Sequence, residues 1–190
     1  MTFWSAQYNP GSEPKRNYRF QITFEGLTGQ NGPIVWFAKK VGKPNFTVTE
    51  SKHSFLNHTY YWPGRVEWQT VTMTLVDPID ITENEGTVRR LNNIFQESGY
   101  KPLAAPSEDL VTQSKSKSVA QLEYVQIEQI DADGNAVETW KLHNAWIKKI
   151  TYGELDYEND DLTQMEVELR YDYAYCYVAG QAEGDANFKA

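Results

Sequence analysis

Three histidines, one cysteine and a dense run of carboxylates are the groups in this chain of 190 residues most able to do chemistry. His53 and His58 stand five apart, and His143 lies far away in sequence. Neither a strand period nor a helical period brings the first two together, so the spacing supports no metal triad. Asp156, Glu158, Asp160 and Asp161 could in principle supply paired carboxylates for hydrolysis. Acids this dense mark a solvated loop, and no environment that would raise one of their pKa values is visible. Cys176 sits between Tyr175 and Tyr177 with no base that the sequence can place beside it. Asp131-Ala132-Asp133-Gly134-Asn135 begins like a calcium loop, but Leu142 stands where the closing Glu is required. A hairpin turn is the expectation there. With no glycine-rich phosphate loop and no serine elbow, the sequence assigns no catalytic residue, no metal site and no cofactor.

The elements around these residues read mainly as strands. Tyr18, Phe20, Ile22 and Phe24 alternate with polar residues up to Glu25, which predicts a half-buried strand. A second begins at Ile34 and runs into Ala38-Lys39-Lys40-Val41, and a third covers Phe46 to Thr49. Residues 51–64 read as a polar, aromatic loop closed by a Pro63-Gly64 turn. The longest strand is expected over Val66 to Val76. It sets Val66, Trp68, Thr70, Thr72, Thr74 and Val76 against Glu67, Gln69, Val71, Met73 and Leu75. Its late part is apolar or threonine-rich on both faces, so it should pass from one environment to another.

A helix is expected over 83–98, with Thr82 as N-cap, Glu85 completing a capping box and Gly99 at the C′ position. Val88, Leu91, Ile94 and Phe95 form its apolar stripe. Residues 101–118 read as a long polar loop or projecting hairpin. Strands resume over Val119 to Ile130, Val137 to Leu142 and Ala145 to Thr151. The last covers Met165 to Tyr175, with Tyr171, Tyr173 and Tyr175 continuing the face of Met165, Val167 and Leu169. The organisation is an N-terminal arm (1–17), one β domain (18–178) and a loose C-terminal tail (179–190). The fold class is mainly β, an antiparallel two-sheet barrel or sandwich with one flanking helix.

Composition narrows the function. The net charge of −8 argues against sequence-independent phosphate-backbone binding as the main task. The opening residues lack a basic run followed by an apolar core, and no apolar run reaches membrane-spanning length. Charge is uneven: residues 156–190 hold nine acids and two bases, while residues 1–50 hold six bases and three acids. That asymmetry favours complementary contact between copies. Aromatic residues are 14% of the chain. A strand wanting burial on both faces, in a protein with one expected helix, suggests cover from another subunit.

Several segments resemble the tail tube proteins of contractile-tailed, T4-like bacteriophages. They are Ala38 to Phe46, His53-Ser54-Phe55-Leu56-Asn57-His58, Tyr61 to Trp68, Val71 to Asp80 and Lys141 to Tyr157. The resemblance covers roughly residues 16–175. It implies a small two-sheet β-barrel with a flanking helix, assembled as hexameric rings stacked into a hollow tube. It implies a structural protein of the virion, assembled in the host cytoplasm and not an enzyme. Implied partners are the sheath, baseplate, tail terminator and tape-measure proteins, with double-stranded DNA passing through unbound. Subunit-interface candidates on this basis are Trp4, Tyr8, His58, Tyr61, Trp62, Arg65 and Trp68. Lumen-facing candidates are Glu67, Gln69, Glu166, Glu168 and Asp172, whose acidic or neutral side chains would keep DNA phosphates from sticking. A baseplate or tail-completion protein, a secretion-system tube protein and a carbohydrate-binding β-sandwich are the alternatives.

Overall fold

The computed structural model describes residues 14–24, 38–79, 86–100, 112–122, 124–158 and 160–179. Ten strands and two helices lie among them: β1 (Phe20–Phe24), β2 (Ala38–Val41), β3 (Phe46–Phe55), β4 (His58–Trp68), β5 (Val71–Val76), α1 (Thr87–Glu97), α2 (Lys115–Leu122), β6 (Tyr124–Ile130), β7 (Ala136–His143), β8 (Trp146–Thr151), β9 (Gln164–Arg170) and β10 (Tyr173–Val178). One four-stranded sheet has the order β1-β6-β7-β10, a second β2-β5-β9-β8, and β3 with β4 forms a separate two-stranded ribbon. The pairings are antiparallel. Among the described residues the sheets form a sandwich and close no barrel.

The core lies between the two sheets, and period-2 alternation puts it there. Ile22 and Phe24 of β1, Val125 and Ile127 of β6, Val71, Met73 and Leu75 of β5, and Met165, Val167 and Leu169 of β9 are all buried. Burying one such side chain contributes roughly 1.5–3 kcal/mol. Leu91 and Ile94 of α1 and Leu122 of α2 seal the same core. Thr87 ties α1 to the end of β5 through a hydrogen bond to the Val76 carbonyl (3.3 Å).

Five expectations are corrected. First, the 51–64 stretch is strand rather than loop, and Pro63-Gly64 lies inside β4. The register slips between Val48 and Glu50, so Thr49 faces an extra residue of β4 and the Pro-Gly pair serves a bulge. Second, the Val66–Val76 strand breaks at Gln69-Thr70, where the chain leaves the ribbon for the sheet. Third, α1 begins at Thr87 after an extended Gly86 (ψ 133°), not at residue 83; Thr82 and Glu85 lie outside the described residues. Gly99 does take the left-handed conformation at the helix end (φ +106°). Fourth, Lys115–Leu122 is a second helix where loop and strand were expected. Its weak amphipathicity, with Leu122 alone buried, hides it from a pattern search. Fifth, the Met165–Tyr175 strand bends at Tyr171-Asp172 and changes sheets. The buried face then switches from Met165, Val167, Leu169 and Tyr171 to Ala174 and Cys176. Trp4, Tyr8 and the Ile34–Phe37 strand lie outside the described residues.

Asp131–Asn135 is the expected hairpin turn between β6 and β7. The Asp131 carboxylate accepts from the backbone N–H groups of Asp133 and Asn135 (2.9 and 2.8 Å), and Gly134 supplies φ +86°.

Candidate assembly site

The β3–β4 ribbon is the feature that a lone chain explains least. Every residue from Phe46 to Glu67 is exposed, on both faces. Strand pairing sorts its side chains. Ser51 with Trp62, His53 with Tyr60, and Phe55 with His58 share one face. There Trp62 lies 6.4 Å from His53 and 6.2 Å from Tyr60, ring centre to ring centre. Lys52 pairs with Tyr61 on the opposite face. The ribbon therefore joins His58 and Trp62 on one side and sets Tyr61 on the other. At the tip, Leu56 is 87% exposed and sits at φ +53°, a conformation costly for a branched apolar residue.

The base of the ribbon is anchored. The Arg65 backbone N–H donates to Thr49 Oγ1 (2.8 Å), and Thr49 Oγ1 donates to the Arg65 carbonyl (3.3 Å). Trp68 is half-buried, edge-on to Phe46 (5.2 Å) and against Tyr171 (5.9 Å), so its ring packs on its own domain. Glu67 and Gln69 are brought together on one side of the base, where Gln69 Nε2 donates to Thr47 Oγ1 (3.1 Å) and to the Glu67 carbonyl (3.4 Å).

Glu166 and Glu168 stand on the outward face of the second sheet, opposite Thr74 and Thr72 of β5. That face is mixed rather than acidic. Lys40 pairs with Thr74, and Lys149 pairs with Glu168. Both edge strands are irregular at a pair of exposed lysines, Lys39-Lys40 in β2 and Lys148-Lys149 in β8. Lysines and bulges on edges discourage pairing with stray strands. The Lys148 ammonium donates to Glu168 (2.8 Å) and, with the Thr70 hydroxyl, holds that carboxyl below its usual range.

Asp172 is placed elsewhere, at the bend between β9 and β10. It accepts from Lys115 Nζ (2.7 and 2.8 Å) and Asn144 Nδ2 (2.8 Å), so it fastens α2 to the sandwich. The Lys115 hydrogen bond lowers its pKa against the opposing effect of burial.

Two groups of side chains escaped the sequence reading. The first is the ribbon aromatics Phe55, Tyr60 and the tip Leu56, hidden because their stretch read as loop. The second is an aromatic row on the outward face of the first sheet. His143 stacks on Tyr173 (4.9 Å) and lies edge-on to Tyr175 (4.8 Å), with Lys141 5.5 Å from the Tyr177 ring centre. Burial, then the Lys141 charge, lowers the His143 pKa. The three histidines are spread over two faces far apart in the topology. Among the described residues no group of three or more His, Cys, Asp or Glu could hold a metal ion.

The family model of the T4-like virus tail tube protein gp19 matches residues 104–175, from before α2 into β10. The motifs between Ala38 and Trp68 lie outside that span. No curated protein matches the chain. Solved structures supply the likeness over nearly the whole length. The anti-feeding prophage (AFP) baseplate includes a chain 14% identical, with a TM-score of 0.60, covering 90% of this chain and 99% of that one. The sheath/tube terminator of the extracellular contractile injection system PVC, in its extended state, gives 15% identity and 0.58, covering 88% and 99%. The tube-terminating cap of the anti-feeding prophage gives 17% and 0.55, covering 94% and 100%. At such identities the shared property is the fold. Residues 104–175 thus match a tail tube family model, and nearly the whole chain has the fold of these contractile-injection-system structures.

Proposed function

We propose that this chain is the building block of an inner tail tube, forming hexameric rings that stack into a hollow conduit. The observation that carries the reading is the β3–β4 ribbon, whose Phe55, Leu56, Tyr60, Tyr61 and Trp62 are all more than half exposed. Among the described residues no third strand pairs with the ribbon, and a two-stranded ribbon is marginal alone in water. A neighbouring subunit is the natural cover for such a surface. His58, Tyr61, Trp62 and Arg65 belong to that contact, with Trp68 anchoring its base, and Trp4 and Tyr8 of the arm join it. A contact that repeats head to tail without closing produces a filament, while one that closes produces the ring.

In this reading the sheet β2-β5-β9-β8 turns Thr72, Thr74, Glu166 and Glu168 toward the channel, with Glu67 and Gln69 near its rim. Asp172 is better accounted for as the fastening of α2. Sheath, baseplate, tail terminator and tape-measure proteins are the expected partners in a virion, and double-stranded DNA the expected traffic. The likeness to the anti-feeding prophage and to an extracellular injection system supports a second reading, in which the same tube serves a device without a genome.

Electron microscopy of the purified protein across a concentration series tests the proposal. Stacked sixfold rings are expected. A monomer at every concentration, both alone and with a purified baseplate, would overturn it.

A further inference from the structure

The ribbon and the acidic β8–β9 loop lie at opposite ends of the second sheet, and their surfaces are complementary. The ribbon joins β5 at Val71, whereas the loop meets β5 at Val76, where Asp77 N–H donates to the Thr163 carbonyl (3.1 Å). Five residue steps of a strand separate those ends by about 17 Å. Between Ser51 and Arg65 the ribbon holds Lys52, Arg65 and two histidines but no acid. Between Gly153 and Leu162 the loop holds five acids and no base. The loop also shows apolar side chains to solvent, with Leu155 90% and Leu162 70% exposed and Tyr157 fully so. It borders an open cavity of about 490 Å³ lined by Glu154, Leu155, Asp156, Tyr157 and Leu162 among others.

We infer that the ribbon of one copy docks on the Gly153–Gln164 loop of a second copy of this chain. The inference rests on the tube reading and names the acceptor for its stacking contact. Phe55, Leu56 and Trp62 meet Leu155, Tyr157 and Leu162 from one face of the ribbon, while Lys52 on the opposite face and Arg65 at the bulge meet Glu154, Asp156 and Glu158, so that the loop embraces the ribbon from both sides. Aromatic anchors with flanking opposite charges give such a contact both affinity and orientation. Donor and acceptor sit at the two ends of one sheet, so each docked copy leaves a fresh acceptor. The contact is heterologous and extends along one axis.

A charge swap in the full-length chain tests this. One variant carries Lys52→Glu and Arg65→Glu; the other carries Glu154→Lys, Asp156→Lys and Glu158→Lys. All changes are on exposed side chains, and circular dichroism verifies the fold of each. Sedimentation velocity should show self-association of each variant weakened roughly tenfold or more. Their equimolar mixture should regain the wild-type distribution, because each acidic ribbon then meets a basic loop. Wild-type self-association of either variant alone overturns the inference, and so does a mixture no heavier than its parts. If the mixture fails while wild-type protein forms tubes, the acceptor lies elsewhere and the tube reading stands. If wild-type protein and mixture are both monomeric even with a baseplate, both readings fall.

Discussion

Gly64 of β4 lies against Thr49 of β3 so closely that a Cβ on it would sit 2.4 Å from Thr49 Oγ1 and 2.9 Å from the Thr49 carbonyl oxygen. The contact falls at the bulge where the ribbon register slips by one residue. Thr49 Oγ1 is also the atom that the Arg65 N–H uses. Gly64→Ala should therefore part the strands at this point, at a local cost of about 1–3 kcal/mol. Hydrogen exchange should quicken across 46–68 while the core strands keep their protection. Unchanged exchange in the ribbon would show that the strands shift at no cost.

Leu56 gives a prediction of opposite sign. Its φ of +53° is strained for a leucine and ordinary for a glycine. Leu56→Gly should relieve about 1 kcal/mol at the turn. It also removes an apolar side chain that is 87% exposed. The isolated chain should melt no lower, while self-association weakens. Equal assembly by the variant would remove Leu56 from the contact.

Glu138 links the start of the described chain to β7. Burial alone would push its carboxyl up, but hydrogen bonds from Lys15, Lys43 and the Trp140 indole N–H outweigh this and bring it down to about 2. A carboxyl lowered by folding contributes stability above its unfolded value, near 4.5, and that contribution is lost as pH falls toward 2. Glu138→Gln should thus reduce the stability at pH 6 by on the order of 1–2 kcal/mol, read as a lower melting temperature. The gap between variant and wild type should close between pH 4.5 and 2. A gap that persists at the acid end would contradict the assignment.

Asp172 supports α2 rather than the core. Its partner Lys115 is largely solvated, so the pair is worth at most about 1 kcal/mol. Asp172→Asn should leave the melting temperature nearly unchanged and speed hydrogen exchange selectively in 115–122. Faster exchange in β9 and β10 instead would assign Asp172 a role at the bend itself.

Cys176 should react slowly with thiol reagents. Burial raises its thiol pKa, and the Glu138 charge acts in the same direction. Labelling of the native chain should be slow at pH 8 and complete at once in denaturant. Rapid native labelling would mean that β10, an edge strand, opens readily.

Residue pattern made legible the strands with one wet and one dry face. Met165, Val167 and Leu169 fall where period-2 alternation against Glu166, Glu168 and Arg170 puts them, whereas for Val71, Met73 and Leu75 the alternation grouped the residues and the opposite sheet decided that theirs is the buried face. The Asp131–Asn135 turn was legible for a similar reason, since its chemistry is local. Tertiary structure alone decided the rest. Lys115–Leu122 has helix-forming residues but no clear apolar stripe to announce a helix; Leu122 in the core and Lys115 on Asp172 hold it. Pro63-Gly64 reads as a turn until Thr49 is known to lie beside it. The switch of buried face after Tyr171 follows from a change of sheet, which depends on strands far away in sequence. The exposure of the whole ribbon is of the same kind. Its residue types could have filled a core, but among the described residues β3 and β4 pair only with each other, which leaves Tyr60, Tyr61 and Trp62 at the surface.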